Sequence, residues 1–492
     1  MPASLKPIAV VDIGSNSVRL VMYDGLRRAP HPIVNEKILC GLARGLREGG
    51  MLDKAAVAQT ESAIARFVKL CELSSVKNLY LFATAAVRDA ADGKDFVRRL
   101  EDRHGIKIDI LSGEDEARAA AQGVASSVAS ASGVVGDLGG GSLELIGVQN
   151  GLADELCRSF PIGPLRLMTS CGQDRNAWQQ AIDNALLQFP LREKLKDRTF
   201  YAVGGALRNL GRIHMVLHHY PLMVLDHYTV STQSFLNSLR SLSRMSPAEL
   251  EAIPGLPKRR VDILPLAAMV AERILLLGKP KEMMFSVYGV REGYLFNKLP
   301  VAERQKDPLL AGCYDMLARV PSSPIYGEEN SAWMQPLFLY ESKEAKRLRI
   351  ASCLLSEISR YESTEYKAEL AYRRVLDSSL VGLRHHERVF LARILFHRYR
   401  RELNEPLLRS MRNLVNAEAK HQAFLIGLAL RLAYAISGAQ PGVLPHTKLV
   451  LDDEYLTLTL DKTVAALAGE STEKRLGILA ENLGRKAKLL VA

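Results

Sequence analysis

The chain has few cysteines for its length, six in 492 residues, and no CxxC pair among them. Cys40, Cys71, Cys157, Cys171, Cys313 and Cys353 stand singly, which excludes a disulfide framework and a zinc ribbon and leaves reduced, mostly buried thiols. No stretch reaches the roughly 18 uninterrupted apolar residues of a membrane span, and the opening MPASLKPIAVVDIG has no cationic region leading into an apolar core. A cytoplasmic protein without a membrane partner is expected. A basic tail is also missing: of the net charge of +11, +5 falls in residues 301–492 (28 Lys+Arg against 23 Asp+Glu), so the excess is spread. Such a bias favours a polyanionic ligand, either nucleic acid, a phosphate polymer or an acidic surface, without choosing among them.

What is present is ordinary globular material, 48% hydrophobic and 24% charged, enough for about three domains. Residues 7–23 read as a β-hairpin, 53–73 as a helix, 78–83 as a strand, 94–103 as a charged helix and 106–111 as a strand, with a helix starting after Ser112-Gly113. The pattern restarts with strands at 133–138 and 143–148, a helix at 175–194, a strand at 199–203, then Gly204-Gly205 and another helix. Strands alternating with helices indicate an α/β layer architecture. From 301 onward helical spacing dominates, above all over 341–436, with strand signals only at 448–460. The expected division is 1–126, 127–300 and a helical 301–492.

An internal repeat joins the first two parts. VDIGSNSVRLVMY at 11–23 lies on GDLGGGSLELIGV at 136–148, sharing D-x-G-x-x-S-x-x-L: Asp12, Gly14, Ser17 and Leu20 against Asp137, Gly139, Ser142 and Leu145. Gly139, Gly140 and Gly141 let the backbone present successive amides to a phosphate group. The run leads into the strand LELIGV, so it is neither the G-x-G-x-x-G turn into a helix nor the GK[ST] loop. A β-turn-β phosphate clamp follows, with Asp137 available to Mg²⁺ and Ser142 as a hydroxyl donor. In LSGEDEARAAAQG, Ser112 and Asp115 form an expected capping box, and Glu116 one step later could hold a water for attack on phosphorus. In FATAAVRDA, Arg88 offers a planar fork to phosphate oxygens, or else pairs with Asp89 at the surface.

Taken in order, AVVDIGSNSVRL, ATAAVRDA, ILSGEDEAR, GDLGGGSLEL, FPIGPLRL, AVGGALRNL and YGVREG resemble the exopolyphosphatase / guanosine pentaphosphate phosphohydrolase family, within the superfamily of sugar kinases, heat-shock chaperones and actin. The resemblance covers residues 8–300. It implies two actin-like (ribonuclease H-like) α/β lobes around a cleft, with polyphosphate shortened from its ends by Mg²⁺-assisted, in-line water attack that releases orthophosphate. Glu116 then corresponds to the general base, Arg88 to the residue gripping terminal phosphates, Asp137 and Asp12 to the metal-linked acids, and Glu144 to an acid that binds metal or positions the water. Asn16, Ser17, Gly139 to Ser142, Gly204 and Gly205 correspond to phosphate-binding positions. Arg166, Lys258, Arg259 and Arg260 are candidates for distal phosphates, or a solvated charge run. Mg²⁺ is the implied cofactor and K⁺ a candidate assisting ion.

Two positions depart from the family pattern: Asp115 replaces a Glu before Glu116, and Asp92 replaces the Asn that follows the Arg motif. LLSEISRY and GLRHHERVFLARILFHRY resemble the HD-like extension of longer members. No His-Asp dipeptide occurs, so that domain is expected to be an all-α, degenerate HD-like module with His385 and His386 structural. It would extend the anion path or build a homodimer. The alternatives are a guanosine pentaphosphate (or tetraphosphate) hydrolase and a non-catalytic polyphosphate or alarmone-binding regulator. Nucleic acid is not an expected partner, and a kinase is disfavoured by SGEDEAR.

Overall fold

The computed structural model describes residues 6–44, 46, 50–172, 174–242, 245–254, 258–318, 323–403 and 405–492. It divides into two compact units, Met1–Gln305 and Lys306–Ala492.

In the first unit, β1 (Ile8–Ile13), β2 (Ser17–Tyr23), β3 (Pro32–Leu39), β4 (Asn78–Ala83) and β5 (Ile108–Ile110) form one sheet in the order β3-β2-β1-β4-β5. A second sheet holds β6 (Gly133–Leu138), β7 (Leu143–Gln149), β8 (Leu152–Phe160), β9 (Thr199–Val203), β10 (Tyr228–Ser231) and β11 (Glu282–Phe285) in the order β10-β11-β9-β6-β7-β8. In both, the first three strands form an antiparallel meander and the fourth lies parallel to the first. The repeat is therefore a repeat of topology, and this is the expected actin-like pair of lobes. β1 and β6 sit inside their sheets with both faces covered, which is why IAVVDI and GVVGDL are near-continuous apolar runs.

Two helices cross between the lobes. Gly113–Ser127 follows β5 in the chain, yet Ala117, Ala120, Ala121 and Val124 pack with Val135, Ile146 and Tyr201 of the second sheet. Val290–Lys298 follows β11, yet Leu295 and Tyr294 pack on Val10, Val21 and Phe82 of the first. The helices touch backbone to backbone: a Cβ on Gly123 would stand 2.2 Å from the Gly289 carbonyl oxygen, and one on Gly293 1.8 Å from that of Ala119.

Four strands of the first unit, among the described residues, escaped the sequence reading, as did Lys486–Val491 in the second. β3 and β8 are edge strands with charged residues interleaved, β10 is a four-residue edge strand, and β11 (EMMF) has no β-branched residue to mark it. The helix expected at 175–194 is two, Arg175–Leu186 and Leu191–Leu195, divided ahead of Pro190, whose ring disfavours helical geometry in the residue before it.

The second unit is not all-α. Helices including Lys343–Leu354, Lys367–Leu376, His385–Tyr399 and Ala417–Ser437 build most of it, but β12 (Thr447–Leu451), β13 (Tyr455–Leu460) and β14 (Lys486–Val491) form a three-stranded sheet. YLTLTL alternates strictly and buries Leu456, Leu458 and Leu460, and helix Glu470–Asn482 returns the chain so that β14 runs parallel to β13. Two of its buried arginines are paired with carboxylates, Arg349 with Glu341 at 2.6 Å and Arg398 with Glu357 at 2.6 Å. His385 is buried at a helix start and His386 is exposed. Among the described residues, no helix is long and apolar enough to cross a membrane.

Candidate active site

The two repeated hairpins make the same turn. The Gly14 N–H donates to the Ser17 carbonyl at 3.1 Å, and the Gly139 N–H donates to that of Ser142 at 2.9 Å. Among the described residues, the N–H groups of Ser15 and Asn16 in one loop, and of Gly140, Gly141 and Ser142 in the other, find no backbone acceptor. They are donors left for a ligand. The loops face each other closely, since a Cβ on Gly141 would lie 2.8 Å from Ser15 Oγ. Gly163 of FPIGPL braces the second loop from behind: its Cβ would fall 2.4 Å from Gly141 C and Ser142 N, so no larger residue fits.

Between the loops lies a cleft of about 200 Å³, lined by Asp12, Gly14 to Ser17, Thr84, Glu116, Asp137, Gly139 to Ser142, Glu144, Gly204 and Gly205. Gly204, at φ +89°, closes against the Leu138 carbonyl and the Asp137 carboxylate. Arg88 and Arg166 do not line the cleft. Arg88 Nη1 donates to Glu116 Oε2 at 2.6 Å and its Nε to Asp89 Oδ1 at 3.1 Å, while Arg166 Nη2 donates to Asp89 Oδ2 at 2.5 Å. Asp89 thus ties both arginines together beside the acid they could serve. The Ser112 capping box starts the helix that carries Glu116. Asp92 has a structural partner, since its carboxylate accepts the Leu52 N–H at 2.9 Å. The side chains of Lys258, Arg259 and Arg260 lie outside the described residues.

Register sets the electrostatics. Antiparallel pairing places Asp137 opposite Glu144, and in the other lobe Asp12 opposite Arg19. Burial, then the neighbouring Asp137, pushes Glu144 up to about 7, against hydroxyl donation from Ser142 and Ser159, the latter at 2.7 Å. Burial, then Glu144, raises Glu116 well above the usual carboxylate range despite Arg88. Asp137 is pushed up to about 6 by burial, opposed by Arg208, and Asp12 is raised by burial, opposed by Arg291. Four carboxyls held above their ordinary range converge where a proton or a cation is favoured.

Cations line the same cleft among these acids. Arg19 is lowered to about 10 by burial and by Arg291 and Arg208, and Arg208 is lowered by burial and Arg291. Burial opposes the charge of Arg291, but Glu292 outweighs it. Glu292 is held by the Gly289 N–H at 2.9 Å, Tyr23 Oη at 3.2 Å and Arg291 Nη2 at 3.2 Å. Sequence reasoning assigned nothing to Arg19, Lys37, Arg208, Arg291 or Glu292, although all line the cleft. Arg19 was legible as the repeat partner of Glu144, and Arg208, Arg291 and Glu292 lie within AVGGALRNL and YGVREG.

Among the described residues no three His, Cys, Asp or Glu side chains form a metal-ligand cluster. Mg²⁺ asks for less, commonly one or two carboxylates completed by waters and substrate phosphate oxygens. Asp12 and Asp137 face one cleft from two lobes, and each charge disfavours the other. The donor set fits that ion.

The Ppx/GppA phosphatase family model matches residues 10–302, and the model for the C-terminal part of exopolyphosphatase matches residues 331–490. Exopolyphosphatase 1 of Mycobacterium leprae is 27% identical over 311 residues, covering 59% of this chain and 89% of that protein. The guanosine-5'-triphosphate,3'-diphosphate pyrophosphatase of Vibrio parahaemolyticus is 24% identical over 468 residues, covering 92% of this chain and 91% of that protein. The crystal structure of an exopolyphosphatase from Cytophaga hutchinsonii superposes with a TM-score of 0.54 at 24% identity, over 60% of this chain and 97% of that one, and shows the shared fold.

Proposed function

The chain belongs to the Ppx/GppA phosphatase family, and from that premise we propose that it is an exopolyphosphatase, hydrolysing the terminal phosphoanhydride of inorganic polyphosphate. One observation carries the chemistry: Glu116, buried and raised, sits on Arg88 and beside Glu144, next to a glycine loop with unspent amides. A carboxyl raised above its ordinary range is a stronger base and is suited to take a proton from water. Glu116 accepts that proton, and Glu144, fixed by Ser159, orients the water. The amides of Gly140 to Ser142 receive the charge that grows on the phosphoryl oxygens. The remaining phosphates lie toward Arg19, Lys37, Arg208 and Arg291, where each further phosphate meets another cation. Asp12 and Asp137, with Glu144 near them, would hold Mg²⁺, which when bound supplies neutralising charge to the phosphate oxygens.

Guanosine pentaphosphate is the second reading, favoured by the one observation that the Vibrio relative matches along both units. The test follows orthophosphate release from long-chain polyphosphate with Mg²⁺ and, separately, from guanosine pentaphosphate. Faster release from polyphosphate is expected. Faster release from the nucleotide transfers the assignment to the second reading, and no release from either ends both.

A further inference from the structure

We propose that the second unit carries a binding site of its own for a purine nucleoside polyphosphate. A cleft of about 380 Å³ opens among the helices Ala417–Ser437 and Glu470–Asn482 and the residues that follow Tyr399. Arg401, Arg431, Lys474 and Arg475 line it against one carboxylate, Glu470. Among the described residues, none of these four cations makes a hydrogen bond or an ion pair. Elsewhere in the same unit, Arg347, Arg349 and Arg398 are each bound to a carboxylate at 2.6 Å.

The unpaired set is costly as it stands. Arg431 and Arg475 are half-buried. Burial, then repulsion from Arg475 and Arg398, lowers Arg431, and burial, then Arg398, lowers Arg475. Glu402 offsets part of the repulsion on Arg431, and a multiply charged phosphate would offset more, because each guanidinium fork can take two oxygens.

The rest of the lining speaks for a nucleoside attached to those phosphates. Leu428, 3% exposed, and Ile478 supply an apolar wall for a ring face. Glu470 disfavours a bare phosphate chain by like charge, but is an acceptor for the N–H groups of a purine edge, and Ser471 stands beside it. The volume falls in the range that small-molecule pockets occupy.

The full-length protein is titrated by calorimetry with GTP, ATP and sodium tripolyphosphate, as wild type and as the double variant Arg431→Gln/Arg475→Gln. Wild type is expected to bind nucleotide at a class of sites that the double variant weakens on the order of tenfold or more, the loss of charge-assisted contacts. Because the two guanidiniums repel each other, the ligand-free double variant is expected to melt at the same or a higher temperature, which separates lost binding from lost folding. Glu470→Gln is expected to weaken nucleotide and strengthen tripolyphosphate at that class. Nucleotide binding unchanged in the double variant overturns the site. Tripolyphosphate binding as tightly as nucleotide at the class of sites that the double variant weakens overturns the nucleoside assignment.

Discussion

The β1–β2 and β6–β7 hairpins share a turn, a register and a topology, and differ at one decisive pair. Opposite its aspartate, the first carries Arg19 and the second Glu144. The fold duplicates a glycine-containing loop, and one residue in each copy differs in charge; in the proposed mechanism the acidic jaw activates water and the cationic jaw holds the chain. A symmetric cleft would bind at both jaws or repel at both.

The comparison breaks most completely at the acidic jaw. Glu116→Gln is expected to lower the rate of phosphate release by about 10²- to 10⁴-fold, the usual contribution of a general base. Glu144→Gln should follow with a loss of about 10²-fold in kcat, since in the proposed mechanism Glu144 orients the water and does not accept its proton. At the cationic jaw the effect should change in kind. Arg19→Gln is expected to raise KM by roughly tenfold or more, the value of a charge-assisted contact, with a smaller change in kcat. An equal fall in kcat for Arg19→Gln and Glu144→Gln would erase the division.

Two finer measurements sharpen it. Asp137 and Glu144 titrate near 6 and 7 in the folded protein, against 3.8 and 4.5 without the fold, so the native state holds protons that the unfolded chain releases. Without divalent cations, the melting temperature should therefore fall as pH rises from about 5 to 8, and the slope should flatten in Glu144→Gln. The smallest effect is expected from Asp89→Asn, a few-fold rise in KM, because loosening the Arg88 and Arg166 clasp leaves every cleft-lining group in place.

Much of the cleft was legible because its parts are local. Glycine runs after apolar strands, a Ser-x-x-Asp cap and a D-x-G-x-x-S repeat each state their geometry within a few residues. The cations of the cleft were harder to see, because Arg19, Arg208 and Arg291 come from three distant segments and meet only when both sheets are folded. Asp89 was visible as a partner of Arg88, but its second bond, to Arg166, spans 77 residues. Short and edge strands hid for a different reason: β11 has four residues and no β-branched side chain, so only its place beside β9 identifies it. The sheet of the second unit announced itself at 448–460, but the helical pattern on either side outweighed it.

The crossed helices bear on how the chain is made. Each lobe completes its core with a helix that the sequence delivers on the far side of a boundary: Gly113–Ser127 lies beneath the second sheet, Val290–Lys298 beneath the first. During synthesis the first sheet leaves the ribosome with Val10, Val21 and Phe82 uncovered, and they stay so until residue 298 has emerged. A fragment cut after residue 126 would carry a helix with no sheet to rest on and a sheet with no helix to cover it. The halves share one topology, yet neither can be finished alone.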